Sequence, residues 1–177
     1  METLNTLISR HSVRTYTGDA VSATDLEKLL KTANAAPVGM GLYDQVHLTV
    51  VNNQDFIANA DTATATIMQT EGAHPTYNVP TLIFVSAKKQ NPMLEGGMIS
   101  SAAMVAHNMV LEATELGLGA CYLWGVLAAV SNTPDLLAKL NLPEDYELLA
   151  AIGVGPTSET YEAREIPADR ISVNVID

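Results

Sequence analysis

Between Glu95 and Glu112 the chain reads GGMISSAAMVAHNMVL, without one charged side chain. In the longer element from about Gly97 to Leu116, the residues Met98, Ala102, Val105, Ala106, Met109, Val110 and Ala113 recur at helical spacing. Met104 and Leu111 add apolar bulk on another side. A helix that is apolar nearly all round has to be buried nearly all round. In a chain of 177 residues, that predicts a sheet against one side and a second copy of the chain against the other. Gly, Ser, Asn and His interrupt this stretch and the second uncharged one, Leu116 to Pro134, so neither reads as a lipid-facing span.

The remaining composition narrows the function. Twenty acidic residues against nine basic ones give a net charge of −11. A nucleic-acid binder needs a broad basic face, and an anionic membrane would repel this chain. With aromatics at 5%, a base-stacking platform is also disfavoured. Hydrophobic residues at 47% and charged residues at 16% argue for one well-packed domain over residues 1–177. The single cysteine, Cys121, rules out an intrachain disulfide and a thiolate metal site, and it reads as a buried core thiol. His47 and His74 have no neighbour at metal-ligand spacing, and no metal is expected. The opening METLNTLISRHSVR lacks the apolar core of a signal peptide, and the expected location is the cytoplasm.

Local patterns outline the elements. Leu4, Leu7 and Ile8 stripe a short first helix that ends near Arg10, and HSVRTYTG then reads as extended chain. A second helix starts at Ser22 or Thr24, with Thr24 and Glu27 at capping-box spacing and a stop at Pro37 and Gly39. VHLTVV (46–51), TLIFVSA (81–87) and ELLAAIGV (147–154) read as strands, and Phe56 to Met68 fits a helix rich in Ala and Thr. EGAHPTYNVP reads as a loop, Thr133 with Pro134 as a helix start, and ISVNVI (171–176) as a terminal strand.

Three segments carry chemistry. In the extended run Arg10-His11-Ser12-Val13-Arg14, alternate side chains point the same way, so Arg10, Ser12 and Arg14 can converge on one ligand. Paired guanidinium N–H groups suit phosphate or carbonyl oxygens, but a solvated basic spot fits the spacing equally well. Ala35 to Gly41 (AAPVGMG) lets backbone approach a flat ligand, and by itself it is also an ordinary helix stop. Glu115 to Ala120 (ELGLGA) follows a helix rather than a strand, which is the wrong order for a dinucleotide fingerprint.

Taken together and in this order, the segments resemble the nitroreductase family of FMN-dependent oxidoreductases. Arg10, Ser12 and Arg14 match its R-x-S-x-R motif, and Ala36, Pro37 and Gly39 match part of its A-P-S-x-x-N turn. Ala113, Gly117, Leu118 and Gly119 match A-x-x-x-G-L-G, and Ile152 and Gly153 match a late strand. The resemblance implies an α+β fold: a three-layer α/β/α sandwich with a mixed, mainly antiparallel sheet, in an intertwined homodimer with FMN at the interface. Arg10 would hold the phosphate with Ser12 beside it, and His11 would contribute backbone and ring edge. Arg14 would face the N1–C2 carbonyl edge of the flavin. Pro37, Val38 and Gly39 of the other chain would cover the ring, and Leu118 and Gly119 would lie along it. Arg164 would be a second phosphate ligand, and Asn59 the candidate for the pyrimidine edge. Two departures remove polar groups from the flavin edge: Val38 where the family often has Ser, and Gly41 where Asn is frequent.

The implied activity is hydride transfer from NAD(P)H through FMN to nitro compounds, quinones or similar planar acceptors, by ping-pong kinetics. The flavin carries the chemistry, no side chain serves as a catalytic acid or base, and Arg14 tunes the flavin. Two other readings stay open at this point. One is a non-catalytic flavin carrier or sensor, and the other a dimeric module for a different phosphorylated ligand. His107 and Asn108 are expected at a polar contact across the dimer interface. Tyr122 and Trp124 read as core residues that could border the slot.

Overall fold

The computed structural model describes residues 2–90 and 92–176. Six α-helices and four strands follow one another along these residues: α1 Thr3–Ser9, α2 Ala23–Asn34, β1 Val46–Val51, α3 Gln54–Ile67, β2 Thr81–Lys88, α4 Pro92–Glu115, β3 Leu118–Tyr122, α5 Trp124–Ser131, α6 Pro134–Lys139 and β4 Tyr146–Pro156. The strands form one sheet in the order β1-β2-β4-β3. All three pairings are antiparallel, so no parallel pair contributes to the sheet among the described residues.

Strand β2 shows why the architecture has three layers. Its side chains alternate faces, and both faces are apolar. Ile83 and Val85 join a core with Leu29 of α2 and with Ala102, Val105, Met109 and Ala113 of α4. Leu82 and Phe84 point the other way, into a core with Phe56, Ile57 and Ala60 of α3, Val126 and Val130 of α5, and Leu136 of α6. Phe84 is fully buried and meets Phe56 edge-on at 6.3 Å. Truncating such a ring to Ala costs about 3–5 kcal/mol. The expected α/β/α sandwich is therefore what the packing builds.

Several local expectations are revised. Helix α2 is capped by Ser22 rather than Thr24: Ser22 Oγ accepts from the Asp25 amide at 3.0 Å and donates to the Asp25 carboxylate at 2.7 Å. Helix α4 begins one turn earlier than the uncharged run suggested, at Pro92. Its predicted face is buried, while Ile99 and Met104 remain 48% and 37% exposed. Thr133 precedes α6, but its hydroxyl bonds back to Ala129 O rather than capping the helix. The segment after Gly117 is a strand, β3, and α5 follows it; the local pattern of residues 117–131 marks neither. Residues 171–176 form no strand, and Ile171, Val173 and Val175 stand 79%, 82% and 73% exposed. Among the described residues, no helix is long and apolar enough to cross a membrane.

Candidate functional site

The cationic strip lies alongside β3. The Val13 amide donates to Ala120 O at 3.0 Å, and the Val13 side chain is fully buried. Val13 thus pins the middle of the strip while Ser12 and Arg14 flank it. Close approach depends on Gly119: a Cβ there would stand 2.7 Å from Val13 Cγ1, 3.1 Å from Tyr16 Cε1 and 3.2 Å from Thr157 Cβ. Gly119 therefore seats the strip. Gly117 turns the chain from α4 into β3 with φ +72°, a conformation glycine adopts without steric cost. Leu118 is buried in the α2–α4 core and, through its carbonyl, accepts from Tyr161 Oη at 2.6 Å.

Arg10 ends α1, its amide bonded to Thr6 O. Its guanidinium makes no hydrogen bond or ion pair among the described residues, although its charge is felt at His107, Cys121, Tyr122 and Tyr161. Burial lowers the His107 pKa, and Arg10 adds to that. His107 Nδ1 lies 2.7 Å from Tyr122 Oη, with the two rings stacked at 13°. Burial raises the Tyr122 phenol to about 12, against the opposing pull of Arg10. These two residues share an open hollow of about 490 Å³ with Pro37, Ala103, Met104 and Asn108. His107 thus pairs with Tyr122, and Asn108 Nδ2 donates to Thr32 O at 3.1 Å. Trp124 is 75% exposed and Tyr122 is 40% exposed, so neither is a core residue.

Arg14 is exposed, its Nη1 3.5 Å from Ser12 O and its Cζ 5.7 Å from the centre of the Tyr77 ring. Interaction with the Tyr77 side chain is the main cause that raises its pKa, so the cation is permanent at any working pH. Cys121 sits beneath the strip, 2% exposed. Burial pushes its thiol up, opposed by Arg14, Ser12 and Arg10.

A tail segment lies across the strip. Thr157 Oγ1 donates to Thr15 O at 2.7 Å, and Glu159 meets His11 Nε2 at 3.0 Å. The Tyr161 ring packs 5.0 Å from the His11 ring. Arg164 Nε donates to Ile8 O at 2.9 Å, and its Nη2 donates to Arg10 O. This revises two expectations. Arg164 directs donors at the C-terminal carbonyls of α1, where a cation is favoured, instead of holding them free for a phosphate. His11 is engaged by Glu159 and Tyr161.

The Pro37 turn also differs from expectation. Pro37 is exposed, whereas the Val38 side chain is 8% exposed and belongs to the core with Ala33 and Val105. An apolar residue suits that inward position, so the turn cannot present a side chain there. The Gly39 amide donates to Ser101 Oγ at 3.0 Å, while Met40 and Gly41 turn with φ +54° and +69°. Asn59 lies on the surface of α3 and bonds Asp55 O of its own helix. Tyr77, an aromatic in a run of turn formers, meets Arg14 although nothing local in the sequence links the two.

This fold, with an N-terminal cationic strip laid on a central antiparallel sheet between two helical layers, defines a class. Residues 7–156 match the model of the nitroreductase family, and the chain belongs to that family. A protein of Archaeoglobus fulgidus named as an NADH dehydrogenase/NAD(P)H nitroreductase is 25% identical over 165 residues, 92% of this chain and 91% of that one. A nitroreductase of Bacteroides fragilis, crystallised with bound FMN, superposes with a TM-score of 0.81 at 25% identity over 99% of this chain and 100% of its own. The NADPH:FMN oxidoreductase of Vibrio harveyi, solved with NAD+, shares the fold at a TM-score of 0.77 and 16% identity, covering 99% of this chain and 78% of that one.

Proposed function

We propose that residues 1–177 form a single FMN-binding domain of an NAD(P)H-dependent oxidoreductase, working in the cytoplasm as a homodimer. The observation that carries this reading is Arg10. It is a cation without a partner among the described residues, on a strip pinned to β3, beside a hollow lined by Pro37, Ala103, Met104 and Tyr122. Such a site fits a flat heteroaromatic ring bearing a phosphate. The FMN found in the Bacteroides fragilis relative is a ligand of that chemistry.

FMN held there would supply the hydride chemistry that links NAD(P)H to a planar acceptor such as a nitro compound or quinone, for which ping-pong kinetics are expected. Arg10 binds the phosphate through paired N–H donors, and the Ser12 hydroxyl complements it. Arg14 would supply a fixed positive charge beside the flavin, which would favour its reduced, anionic form. The buried Val13 and the absent side chain at Gly119 seat the strip that carries both arginines against β3. Pro37, Val38 and Gly39 contribute backbone and the Pro37 ring; Leu118 contributes the wall of the strand. A second copy would cover the apolar side chains left exposed on α1 and α4 and in the tail, including Leu4, Leu7, Ile99, Ile171 and Val173.

Purified protein should be yellow, and NADH or NADPH should bleach it rapidly without oxygen. A flavin that stays oxidised would instead indicate a carrier. Arg10→Ala should weaken FMN binding by about tenfold or more, since a charge-assisted bond is worth about 1.5–3 kcal/mol. Protein that stays colourless after incubation with FMN would refute the reading.

A further inference from the structure

We propose that Tyr77 is a positioning residue that fixes the direction of the Arg14 cation, and that a buried carboxylate, Asp61, holds Tyr77 in place. The proposal rests on the reading of Arg14 given above and adds the device that orients it.

Arg14 is exposed and lies on an extended strip, so its own backbone leaves the guanidinium free to swing. Its guanidinium meets the Ser12 backbone carbonyl at 3.5 Å and the Tyr77 ring, with Cζ 5.7 Å from the centroid. An arginine over an aromatic face is attracted by the ring quadrupole and stacks well on it. Tyr77 can serve as such a platform only if its own position is fixed. Its ring is half-buried against the core beneath α3 and α5.

Its backbone is held just as firmly. Tyr77 and Asn78 both adopt φ near +55°, at +57° and +55°, a conformation uncommon for residues other than glycine. Two successive residues of this kind persist only when their surroundings impose them. Here the Tyr77 amide donates to His74 O at 2.8 Å and the Val79 amide to Thr76 O at 3.1 Å. Thr76 in turn is anchored twice to one oxygen of Asp61, by its amide at 2.8 Å and its hydroxyl at 2.6 Å. The other Asp61 oxygen meets His74 Nδ1 at 2.9 Å. Asp61 is 9% exposed and belongs to α3, a rigid element. The physical path is therefore α3, Asp61, Thr76, Tyr77, Arg14.

Two readouts test this. In flavin-free protein, the order parameter of the Arg14 side-chain Nε–H should fall in Tyr77→Ala and in Asp61→Asn, and stay near wild type in Tyr77→Phe, which keeps the ring. An Arg14 signal equally ordered in Tyr77→Ala overturns the proposal, whether or not FMN binds. In FMN-loaded protein, the ratio of oxidised to reduced FMN dissociation constants should drop about threefold to tenfold in Tyr77→Ala, in line with a cation–π contact. It should stay within about twofold in Tyr77→Phe. Combining Tyr77→Ala with Arg14→Gln should lower the ratio no further than Arg14→Gln alone, because both act through one group. Additive losses, or an unchanged ratio in Tyr77→Ala beside a lowered one in Arg14→Gln, refute the positioning role and leave the flavin reading intact. An unchanged ratio in Arg14→Gln refutes the placement of Arg14 itself, and with it the redox consequence of Tyr77.

Discussion

On one flank of the Arg10–Arg14 strip, the tail lies across the chain and fastens it near the surface, with Thr157 and Arg164 donating to backbone carbonyls and Glu159 meeting His11. On the other flank, the turn that carries Tyr77 hangs from Asp61, a carboxylate 9% exposed that accepts from Thr76 and meets His74. The two grips act on the same strip with different energetics. A surface bond exchanges with water at little net cost. A largely buried acceptor, once removed, leaves its donors with little access to water in its place. The buried grip should therefore govern stability, and the exposed grip the fine placement of Arg10.

The largest expected effect follows from that contrast. Asp61→Ala should destabilise the fold by about 3 kcal/mol, because the Thr76 amide and hydroxyl lose their acceptor inside the protein. Chemical denaturation would measure it. The same group gives a pH dependence. Burial by itself would raise the Asp61 pKa, but the hydroxyl and amide of Thr76 and the His74 ring outweigh it, and the net shift is downward. A folded-state pKa below the unfolded one stabilises at neutral pH. That stabilisation is lost as pH falls from the unfolded carboxylate value through the folded one. Asp61→Asn should flatten this acid-side slope, and a slope identical to wild type would contradict the buried grip.

Next in size is the seat that both grips share. Gly119→Ala places a methyl 2.7 Å from Val13 Cγ1, with Tyr16 and Thr157 also crowding it. Overpacking of this kind costs about 2 kcal/mol. It should lift the strip and weaken FMN binding together with stability. Stability lost with FMN affinity intact would mean that the strip does not carry the phosphate site.

Arg164→Ala tests the exposed grip. It removes donors to Ile8 O and Arg10 O and should cost about 1 kcal/mol, while FMN affinity falls through loosened Arg10 backbone. A thermal melt with and without FMN separates the two effects. If Arg164→Ala proves costlier than Asp61→Ala, the ranking of the grips is inverted. The smallest effect belongs to Glu159→Gln, under about 0.5 kcal/mol, as expected for a partly exposed pair with His11.

The elements with strong local signals were legible in advance. VHLTVV appears as β1 with its bounds unchanged, and the apolar stripe of α4 is the buried face. Strand β3 was not legible, because LGACY follows the glycine turn at once and carries no alternation of polar and apolar residues. Its strand character comes from pairing with β4, where Leu118 faces Pro156 and Tyr122 faces Ile152. The R-x-S-x-R spacing marked the strip, but it could not say which arginines stay free. Arg164 looked equivalent to Arg10 in charge; the fold turns one onto carbonyls and leaves the other open. Val38 looked like a lost polar contact and is a core side chain instead.

The sequence by itself determined the class of fold, through motifs that occur in the family's order. Periodicity settles which segments bury which faces, and the strip's residue types mark it as one that could suit an anionic partner or stay a solvated basic spot. The tertiary structure alone decided how the strip is held. Asp61 and Thr76 are separated by a loop, and Tyr77 meets Arg14 from far along the chain. Such contacts join residues with no shared local pattern, so they exist only once the sheet and helices have brought them within bonding distance.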